Sequence, residues 1–506
     1  MDDYDQEYLT LDAKHVEILD ETGRDRTGEF NIQDKDGVLY AFAKTVDTQI
    51  PATGETVKGD PQPADLKAYS EKSDKDYDPL KDPSIDQSLL GHTYQVVMPM
   101  TVTKVKDGHT VENTATQVTN DKRDKTNTVT NPLKEINPKK DVTVQVGGDS
   151  IDGKSVYLNH TFLYRLDSSI LPPDRAYQTV TDWGGTDQLA TEYDQYLGNW
   201  AVYASRDLYR DGQVLAARGE KIAGSGFDSS KFGGNLFAVD ADGNGKVTVN
   251  ATQAYLDLVS ADNEHEAGWV LYLQCKRIAV ADEVPNTWTE TINGQPRESN
   301  KVVTKTPDMT PSIHLEKVDT PTLKQEGQER ADRDDPKQAL KMDADSIGIT
   351  FIITNTSKTD PATGDGAWFK ASDLDLADST IVGDAHVDMD SLAYPDNWDT
   401  LVLKPGESVS VTGTLKGVRE GDTHTDRAIV TGTPLVECAP SNGDPFNDKT
   451  DGGEDTDPEY STGDVTEIDG KQLCADTQVT SNTDDWNGYR ANRWPPPARP
   501  CSALPA

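Results

Sequence analysis

The 506-residue sequence has little cysteine, little positive charge and no long apolar run. Its four cysteines include no CxxC pair, which excludes a zinc ribbon. The 49 Lys and Arg residues face 88 Asp and Glu residues, and the net charge of −39 argues against nucleic acid or an anionic membrane surface as the main partner. Since no apolar run is long enough for a transmembrane helix, no membrane insertion is predicted.

Motifs of enzymatic turnover are also missing. The sequence contains no HExxH, GxSxG, P-loop or GxGxxG pattern, so we predict no cofactor and no catalytic turnover. The first residues, MDDYD, have neither the basic nor the apolar region of a signal peptide. A carbohydrate-active enzyme would need a cleft with a carboxylate pair, and the sequence pattern identifies none.

Short alternating runs of Thr, Val, Ile and Tyr, broken by Gly, Asn, Asp and Pro, make up most of the chain. This pattern predicts an all-β protein of tandem immunoglobulin-like β-sandwiches. Proline-rich joints at 131–140 and 306–312 divide it into domains at 1–133, 134–308 and 309–437. Periodicity is lost after Val436, so we expect residues 438–506 to form a disordered acidic and proline-rich tail.

Two similar segments, TNTVTNP at 126–132 and SNKVVTKTP at 299–307, each place an Asn before a proline joint. Each is followed by a lysine at the start of the next domain, Lys140 and Lys317. A buried Lys beside an Asn and a carboxylic acid can form an amide bond, because burial favours the neutral amine and the protonated acid. The residue types alone leave open that these side chains are exposed and unlinked.

Several separated motifs resemble the C-terminal domains of the antigen I/II family, the cell-wall-anchored adhesins of Gram-positive bacteria. They are INPKKDVTV at 136–144, FLYRL at 162–166, SSILPPDRA at 168–176, YLGNW at 196–200, QCKRIA at 274–279 and ESN at 298–300. The resemblance implies a modified immunoglobulin fold with a self-formed Lys–Asn isopeptide bond. It implies Lys140 as nucleophile, Asn300 as electrophile and Asp182 as acid, with Asp187 and Asp194 as alternative acids.

The first domain departs from this family pattern. Asp3, in DDY at 2–4, resembles the acid and Asn127 resembles the last-strand Asn. The strand that carries the lysine should precede the acid, yet the sequence starts at Met1. We therefore expect an N-terminally truncated, uncross-linked sandwich; a complete domain with another strand order is the alternative.

The third domain is similar to immunoglobulin-like repeats of bacterial surface proteins, through SIGITFIITNT at 346–356 and LKPGESV at 403–409. Its first-strand lysine is Lys317, and its late-strand position is Asp426 instead of Asn. Asp378 is the candidate acid. A Lys–Asp bond, formed with loss of water, is chemically possible, and the Asp-for-Asn exchange leaves the link open.

Two other patterns concern metal and disulfide chemistry. Asp240, Asp242 and Asn244 resemble the opening of a calcium loop, but the twelfth position is Ala251 instead of Glu, so a hairpin turn is the preferred interpretation. Cys438 and Cys474 flank the acidic loop and form a possible disulfide, which suits an exported protein.

Taken together, these patterns predict a monomeric cell-surface adhesin stalk that binds but does not catalyse. The resemblance implies host glycoproteins such as salivary agglutinin, or microbial surface proteins, as partners. It also implies an extracellular, wall-anchored location, although this sequence has neither a signal peptide nor an LPxTG motif. The alternative is a pilus-like or spacer subunit with no ligand of its own.

Overall fold

The structure, a computed structural model, describes residues 1–50, 53–73, 84–106, 108–119, 122–323, 333–439, 446 and 465–492. The chain divides into two compact units, Met1–Ile136 and Asn137–Ala506. Nearly all regular structure is antiparallel β, which confirms the predicted all-β class. None of the described helices is long and apolar enough to cross a membrane.

Unit 1 consists of short strands around a small core of Tyr4, Leu11, Val16 and Leu39. A three-stranded sheet in the order β1-β5-β4 and several two-stranded ladders make up its structure, together with the α-helix α1 (Leu66–Ser73) and short 3-10 turns. Its strands are β1 Asp2–Asp3, β2 Leu9–Leu11, β3 Glu17–Asp20, β4 Phe30–Lys35, β5 Val38–Ala43, β6 Thr48–Gln49, β7 Thr56–Val57, β8 Tyr94–Val97, β9 Met100–Val102, β10 Thr110–Asn113, β11 Thr116–Thr119, β12 Lys122–Lys125 and β13 Val129–Pro132.

The second unit begins with a sandwich that occupies residues 137–307. Helix α2 (Gln253–Ala261) connects two of its strands. Its strands are β14 Lys139–Thr143, β15 Thr161–Asp167, β16 Trp183–Gln188, β17 Asp194–Ala204, β18 Leu208–Arg210, β19 Gln213–Ala216, β20 Lys221–Gly224, β21 Phe237–Ala241, β22 Lys246–Ala251, β23 Trp269–Arg277, β24 Ala281–Asn286, β25 Trp288–Ile292, β26 Gln295–Glu298 and β27 Val302–Thr306.

Two five-stranded sheets form this second sandwich, in the orders β14-β15-β23-β17-β20 and β21-β22-β16-β25-β26, and β24 pairs with β27 beside them. Indole rings fill the space between the sheets: the ring centroids of Trp269 and Trp183 are 6.2 Å apart, and those of Trp269 and Trp288 are 5.8 Å apart. The inner faces of the two sheets therefore share one core, and the central strand β23 is buried on both of its faces.

A third sandwich completes unit 2, with the short helix α3 (Thr320–Leu323) after its first strand. The sheet β28-β30-β35-β33 packs on a sheet in which β29, β41, β36 and β32 lie side by side and β40 also pairs with β36. Its strands are β28 Ile313–Asp319, β29 Leu340–Lys341, β30 Ser346–Asn355, β31 Phe369–Lys370, β32 Asp375–Val382, β33 His386–Val387, β34 Val402–Leu403, β35 Ser408–Lys416, β36 Thr423–Gly432, β37 Leu435–Glu437, β38 Thr466–Ile468, β39 Lys471–Ala475, β40 Val479–Thr480 and β41 Asp484–Tyr489.

The third sandwich extends beyond the boundary at 437 that the sequence suggested. Strand β41 lies inside the sheet between β29 and β36, and its Trp486 is fully buried. The described part of the predicted tail is therefore part of the fold. Composition misplaced this boundary because DDWNGY at 484–489 has few β-branched residues and follows a long acidic segment.

Candidate functional site

A buried lysine lies between the two sheets of the second sandwich. Lys140 is on β14, and its ammonium contacts the carboxylate of Asp187 on β16 of the facing sheet. Both side chains are almost inaccessible to solvent, at 0 % and 1 % exposure. Burial lowers the pKa of Lys140, and the Asp187 carboxylate opposes that shift. The environment therefore favours the neutral, nucleophilic amine more than water does.

Strand register holds Asp187 in this position. Asp187 lies directly opposite Trp288 in the β16–β25 ladder. Gly185 lies two residues before Asp187 and therefore on the same face of β16. It has no side chain, and a Cβ at this position would be 2.7 Å from the Trp288 ring. The indole can therefore lie against the strand and help to keep water from the carboxylate. Oδ1 of Asp187 has no hydrogen-bond partner among the described residues.

Asn286 is a buried amide on the same inner face, two residues before Trp288. It is therefore a diagonal neighbour of Asp187 across the strands. Neither amide atom of Asn286 has a hydrogen-bond partner in the described part of the chain, although the residue is only 6 % exposed. A buried amide without partners is costly, so it requires an explanation. Sequence reasoning missed Asn286; the inward alternation Val284, Asn286, Trp288 was the available signal.

The side-chain amide of Asn300 forms hydrogen bonds with the main chain of Lys140. Its Oδ1 accepts from the Lys140 N–H at 2.9 Å, and its Nδ2 donates to the Lys140 carbonyl at 2.9 Å. The side chain is thus an amide clamp on the edge of β14, and the residue is exposed. The structure brings Asn300 to Lys140, as the sequence suggested, but with the wrong atoms for the predicted bond.

Asp182 and Asp194, the other two acid candidates, have different partners. Asp182 accepts from the Gly294 N–H at 3.2 Å in the turn after β25. Asp194 pairs with the buried Arg277 guanidinium at 2.7 Å and accepts from the Tyr164 hydroxyl at 2.7 Å. Of the three candidates, the carboxylate that contacts the Lys140 ammonium is therefore Asp187 instead of the preferred Asp182.

A second buried lysine occupies the corresponding place in the third sandwich. The Lys317 ammonium contacts Asp378 and lies 2.6 Å from Oδ1 of Asp426. The three side chains are 0 to 2 % exposed. Burial raises the pKa of Asp378, while the charge of Lys317 lowers it. The structure thus brings together the three residues that the sequence grouped in this domain.

One register relation recurs in all three domains. An acid lies opposite a residue of the partner strand, and an amide or acid lies two positions before that residue. The acid, opposite residue and diagonal residue are Asp187, Trp288 and Asn286; Asp378, Ala428 and Asp426; and, in unit 1, Asp2, Ala115 and Asn113. In the first two sets a lysine ammonium contacts the acid.

In unit 1 the acid and amide bond to each other, because Asn113 Nδ2 donates to Asp2 at 3.1 Å. The predicted residues Asp3 and Asn127 are both exposed. Asn127 corresponds to the clamp residue Asn300. Thr126 exchanges hydrogen bonds with the main chain of Ala115, as Ser299 does with that of Trp288. The similarity between segments 126–132 and 299–307 therefore reflects similar main-chain hydrogen bonding. It identifies the position of the clamp residue.

The remaining predicted positions have ordinary structural roles. Asp240, Asp242 and Asn244 lie in and beside the hairpin turn between β21 and β22, where Asp242 accepts from the Asn244 N–H at 2.7 Å. Within the described ranges, no group of three or more His, Cys, Asp or Glu residues is arranged to hold a metal. Cys438 and Cys474 are joined in a disulfide, and Cys275 is a buried thiol whose pKa burial raises well above its usual value.

Comparison with known families now gives this geometry a context. Residues 1–133 match the family description "Cell surface antigen I/II C2 terminal domain", and residues 137–307 match "Cell surface antigen C-terminus". The chain belongs to the antigen I/II family. The predicted family resemblance is confirmed, and membership identifies the matched residues as domains of a cell-surface antigen.

Individual relatives are more distant. Aggregation substance from Enterococcus faecalis is 31 % identical over 312 residues, which are 61 % of this chain and 20 % of that protein. The chain thus spans about a fifth of the curated relative. The C-terminal domains of the antigen I/II-family proteins AspA of Streptococcus pyogenes and BspA of Streptococcus agalactiae are 23 % and 19 % identical, with TM-scores of 0.42 and 0.41; each comparison covers 60 % of this chain and 83 % of the solved domain.

Proposed function

We propose that this antigen I/II chain is an extracellular adhesin stalk of a Gram-positive bacterium whose second sandwich is stabilised by a self-formed isopeptide bond. The buried cluster of Lys140, Asp187 and Asn286 carries this proposal. It has the nucleophile, the acid and an unpartnered amide that the reaction requires. The wall anchoring and the monomeric state that the family resemblance implies belong to the same proposal.

The reaction joins Lys140 Nζ to the side-chain carbonyl carbon of an asparagine and releases ammonia. In its protonated form, Asp187 hydrogen-bonds the amide oxygen, polarises the carbonyl and passes the amine proton to the leaving nitrogen. Asn286 is the electrophile that the geometry supports, because its amide is buried, unpartnered and diagonal to Asp187. The oxygen and the nitrogen of the Asn300 side-chain amide are both hydrogen-bonded to the main chain of Lys140.

Such a bond suits attachment under mechanical load. Lys140 is in the first strand of one sheet and Asn286 is in β24, which pairs with the last strand, β27. A covalent link between these strands prevents their separation by shear. The cross-link is then a stability device, and binding takes place on the loops or sheet faces.

Peptide mapping of the unfolded wild-type chain tests the cross-link and its partner. Trypsin places Asn286 in peptide 278–297 and Asn300 in peptide 298–301, while an acylated Lys140 begins peptide 140–154. We expect a branched peptide of 140–154 with 278–297 that is lighter than its parts by one ammonia. A branch to 298–301 would restore Asn300 as electrophile, and full recovery of all unlinked peptides would refute the bond.

Host glycoproteins such as salivary agglutinin, or microbial surface proteins, are the proposed partners. Surface plasmon resonance of the chain over immobilised agglutinin and over whole-cell surface extracts should give saturable binding. Heat-unfolded protein is the control. If the folded chain binds none of these surfaces, the spacer or pilus-like alternative replaces the adhesin proposal, and the cross-link result stands independently.

A further inference from the structure

We propose that the third sandwich forms a second covalent cross-link of different chemistry, an amide between Lys317 Nζ and Cγ of Asp426, with release of water. The antigen I/II descriptions end at residue 307, so family membership does not extend to this domain. The inference rests on the side-chain geometry of the third sandwich. It is independent of the adhesin proposal and of the Lys140 bond.

The placement of the ammonium against Asp426 carries the inference. Nζ of Lys317 lies 2.6 Å from Asp426 Oδ1, yet neither carboxylate oxygen of Asp426 has a partner in hydrogen-bond geometry among the described residues. The amine and the carboxyl group are therefore within contact distance without the alignment of an ordinary hydrogen-bonded ion pair. A contact of this length places the nitrogen close to the group that it would have to attack.

Charge balance supports a reaction over a permanent ion triad. One ammonium and two carboxylates in a site with at most 2 % exposure have an excess negative charge that water cannot screen. Addition of one proton gives a neutral set that can exist as a free amine and two carboxylic acids. Burial raises the pKa of Asp378, which favours the protonated form of that acid.

From this state the atoms and protons balance without a co-reactant. The Asp378 acid hydrogen-bonds one oxygen of Asp426 and polarises its Cγ, and the amine nitrogen attacks that carbon. A C–N bond forms, one amine proton passes through Asp378 to the hydroxyl oxygen of Asp426, and the C–O bond breaks. The products are one amide, one water and the regenerated Asp378 acid.

His424 completes the surroundings of the electrophile as a positioning residue. Its Nε2 is 3.2 Å from Asp426 Oδ2, its side chain is 1 % exposed, and neither ring nitrogen has a hydrogen bond in the described part of the chain. The imidazole is thus a polar group beside Oδ2, the oxygen that would leave as water. The Phe351 ring, 5.5 Å from Lys317 Nζ, helps to keep water from the amine.

The same register relation occurs in the second sandwich. Asp378 lies opposite Ala428, two positions beyond Asp426, as Asp187 lies opposite Trp288, two positions beyond Asn286. The two sites therefore differ mainly in the electrophile, an acid in one and an amide in the other. The leaving group changes accordingly from ammonia to water.

Mass spectrometry of the reduced, unfolded wild-type chain tests the proposal. Trypsin should release peptide 306–324, uncut at Lys317, joined to peptide 420–427, with a mass lower than the sum by one water. The Asp426→Asn variant checks the identity of the bond. Its amide would lose ammonia instead of water, so its branched peptide should have the same mass as the wild-type branched peptide. Full recovery of unlinked 420–427 from the folded wild-type chain would overturn the proposal.

Two substitutions assign the roles. Asp378→Ala should leave both peptides unlinked, whereas Asp485→Ala, which removes a surface ion pair with Arg427 in the neighbouring strand, should leave the branch intact. Circular dichroism of each full-length variant reports whether the fold is kept. If the branch persists in folded Asp378→Ala protein, Asp378 is not the acid. His424→Phe should slow branch formation after refolding, and an unchanged rate would remove His424 from the site.

Discussion

At the scale of single residues, the informative feature is the buried polar side chain without a partner. Asn286 and Asp426 are both buried inside a sandwich, and their side-chain atoms lack hydrogen bonds among the described residues. Each is a diagonal neighbour of an acid that contacts a buried lysine. Burial of such a group without a hydrogen bond costs free energy. Its conversion to an amide would lower that cost, because the product has fewer polar atoms that need partners.

Substitution of the acid separates the two aspartates of the second sandwich. Asp187→Ala should leave Lys140 unlinked, because among the described residues Asp187 is the acid that contacts its ammonium, whereas Asp182→Ala should leave the link intact. The Asp182 carboxylate accepts from the Gly294 N–H and the Thr181 hydroxyl in a turn. Intact mass of each unfolded variant gives the result, and retention of the ammonia loss in Asp187→Ala would contradict the assignment.

Substitution of the amides separates reaction from clamping. Asn286→Ala should abolish the cross-link. Asn300→Ala should keep it but lower the free energy of unfolding by about 1–3 kcal/mol, because two main-chain groups of Lys140 lose their partner. Denaturant titration with peptide mapping measures both effects. Loss of the branched peptide in folded Asn300→Ala protein would show that the clamp is needed for reaction.

At the scale of elements, the third sandwich depends on a strand that follows a long acidic segment. Strand β41 lies between β29 and β36, and its Trp486 is part of the core around Phe351 and Val430. Asn482 clamps Leu315 on the edge of β28, with bonds of 2.9 Å to its N–H and its carbonyl, as Asn300 clamps Lys140. The disulfide between Cys438 and Cys474 ties strand β39 to the end of β37.

Truncation after Glu437 tests the role of β41. The shortened chain should lose the third sandwich, because removal of an internal strand exposes both neighbouring edges and opens a cavity in place of a buried Trp. Limited proteolysis should degrade residues 309–437 and spare 137–307. Truncation after Tyr489, which keeps β41, is the matched control. Protease resistance of 309–437 in the shorter chain would contradict this arrangement.

Removal of the disulfide tests its contribution. A Cys438→Ser, Cys474→Ser variant should unfold the third sandwich at lower denaturant concentration, since closing a separation of 36 residues is worth roughly 3–4 kcal/mol in the chain-entropy model. The second sandwich, followed by Trp fluorescence of a chain ending at residue 308, is the reference. An unchanged midpoint for the third sandwich would assign the disulfide no stabilising role.

At the scale of the whole molecule, unit 2 joins its sandwiches through polar contacts as well as through the chain. Ser155 donates to Asp360 at 2.8 Å and Tyr157 to Asp365 at 3.0 Å. Burial at this contact, together with the Asp365 charge, raises the pKa of Tyr157 to about 12. The Tyr203 hydroxyl of the second sandwich also donates to the Phe446 carbonyl at 2.8 Å.

Loss of the Lys140 link should lower the thermal and mechanical stability of the second sandwich more than it lowers ligand affinity. Lys140→Ala should lower the melting temperature of the second sandwich by roughly 10 °C or more, because a cross-link over a long loop is worth on the order of 5 kcal/mol. Its rupture force in single-molecule pulling should fall as well. Ligand affinity at moderate temperature should stay within a few-fold; a large loss of affinity with an unchanged melting temperature would contradict a stabilising role.

Unit 1 is expected to unfold before unit 2 in this chain. The group that donates to its Asp2 carboxylate is Asn113, where the other two sites have a lysine ammonium, so covalent closure is not expected there. Calorimetry with proteolysis at each transition assigns the order. If residues 1–136 and 137–307 resist heat and trypsin equally, the Asn113–Asp2 contact in place of a lysine contact does not weaken unit 1.

The amino-acid sequence by itself determined the all-β class, the family and the choice of Lys140 and Lys317, the two lysines that the structure buries beside carboxylates. These follow from strand periodicity, from motifs that keep their order along the chain, and from residue types. It also grouped Lys317, Asp378 and Asp426, since each falls in a recognisable strand of the third domain.

Only the tertiary structure decided which side chains meet. The family resemblance offers three possible acids, of which Asp187 is one, and it implies Asn300 as the electrophile through the ESN motif. The choice depends on the register between strands about a hundred residues apart, and a shift of one residue turns a side chain to the opposite face. For the same reason β41 could not be assigned: its place in the sheet is set by partners on distant strands and not by its own composition.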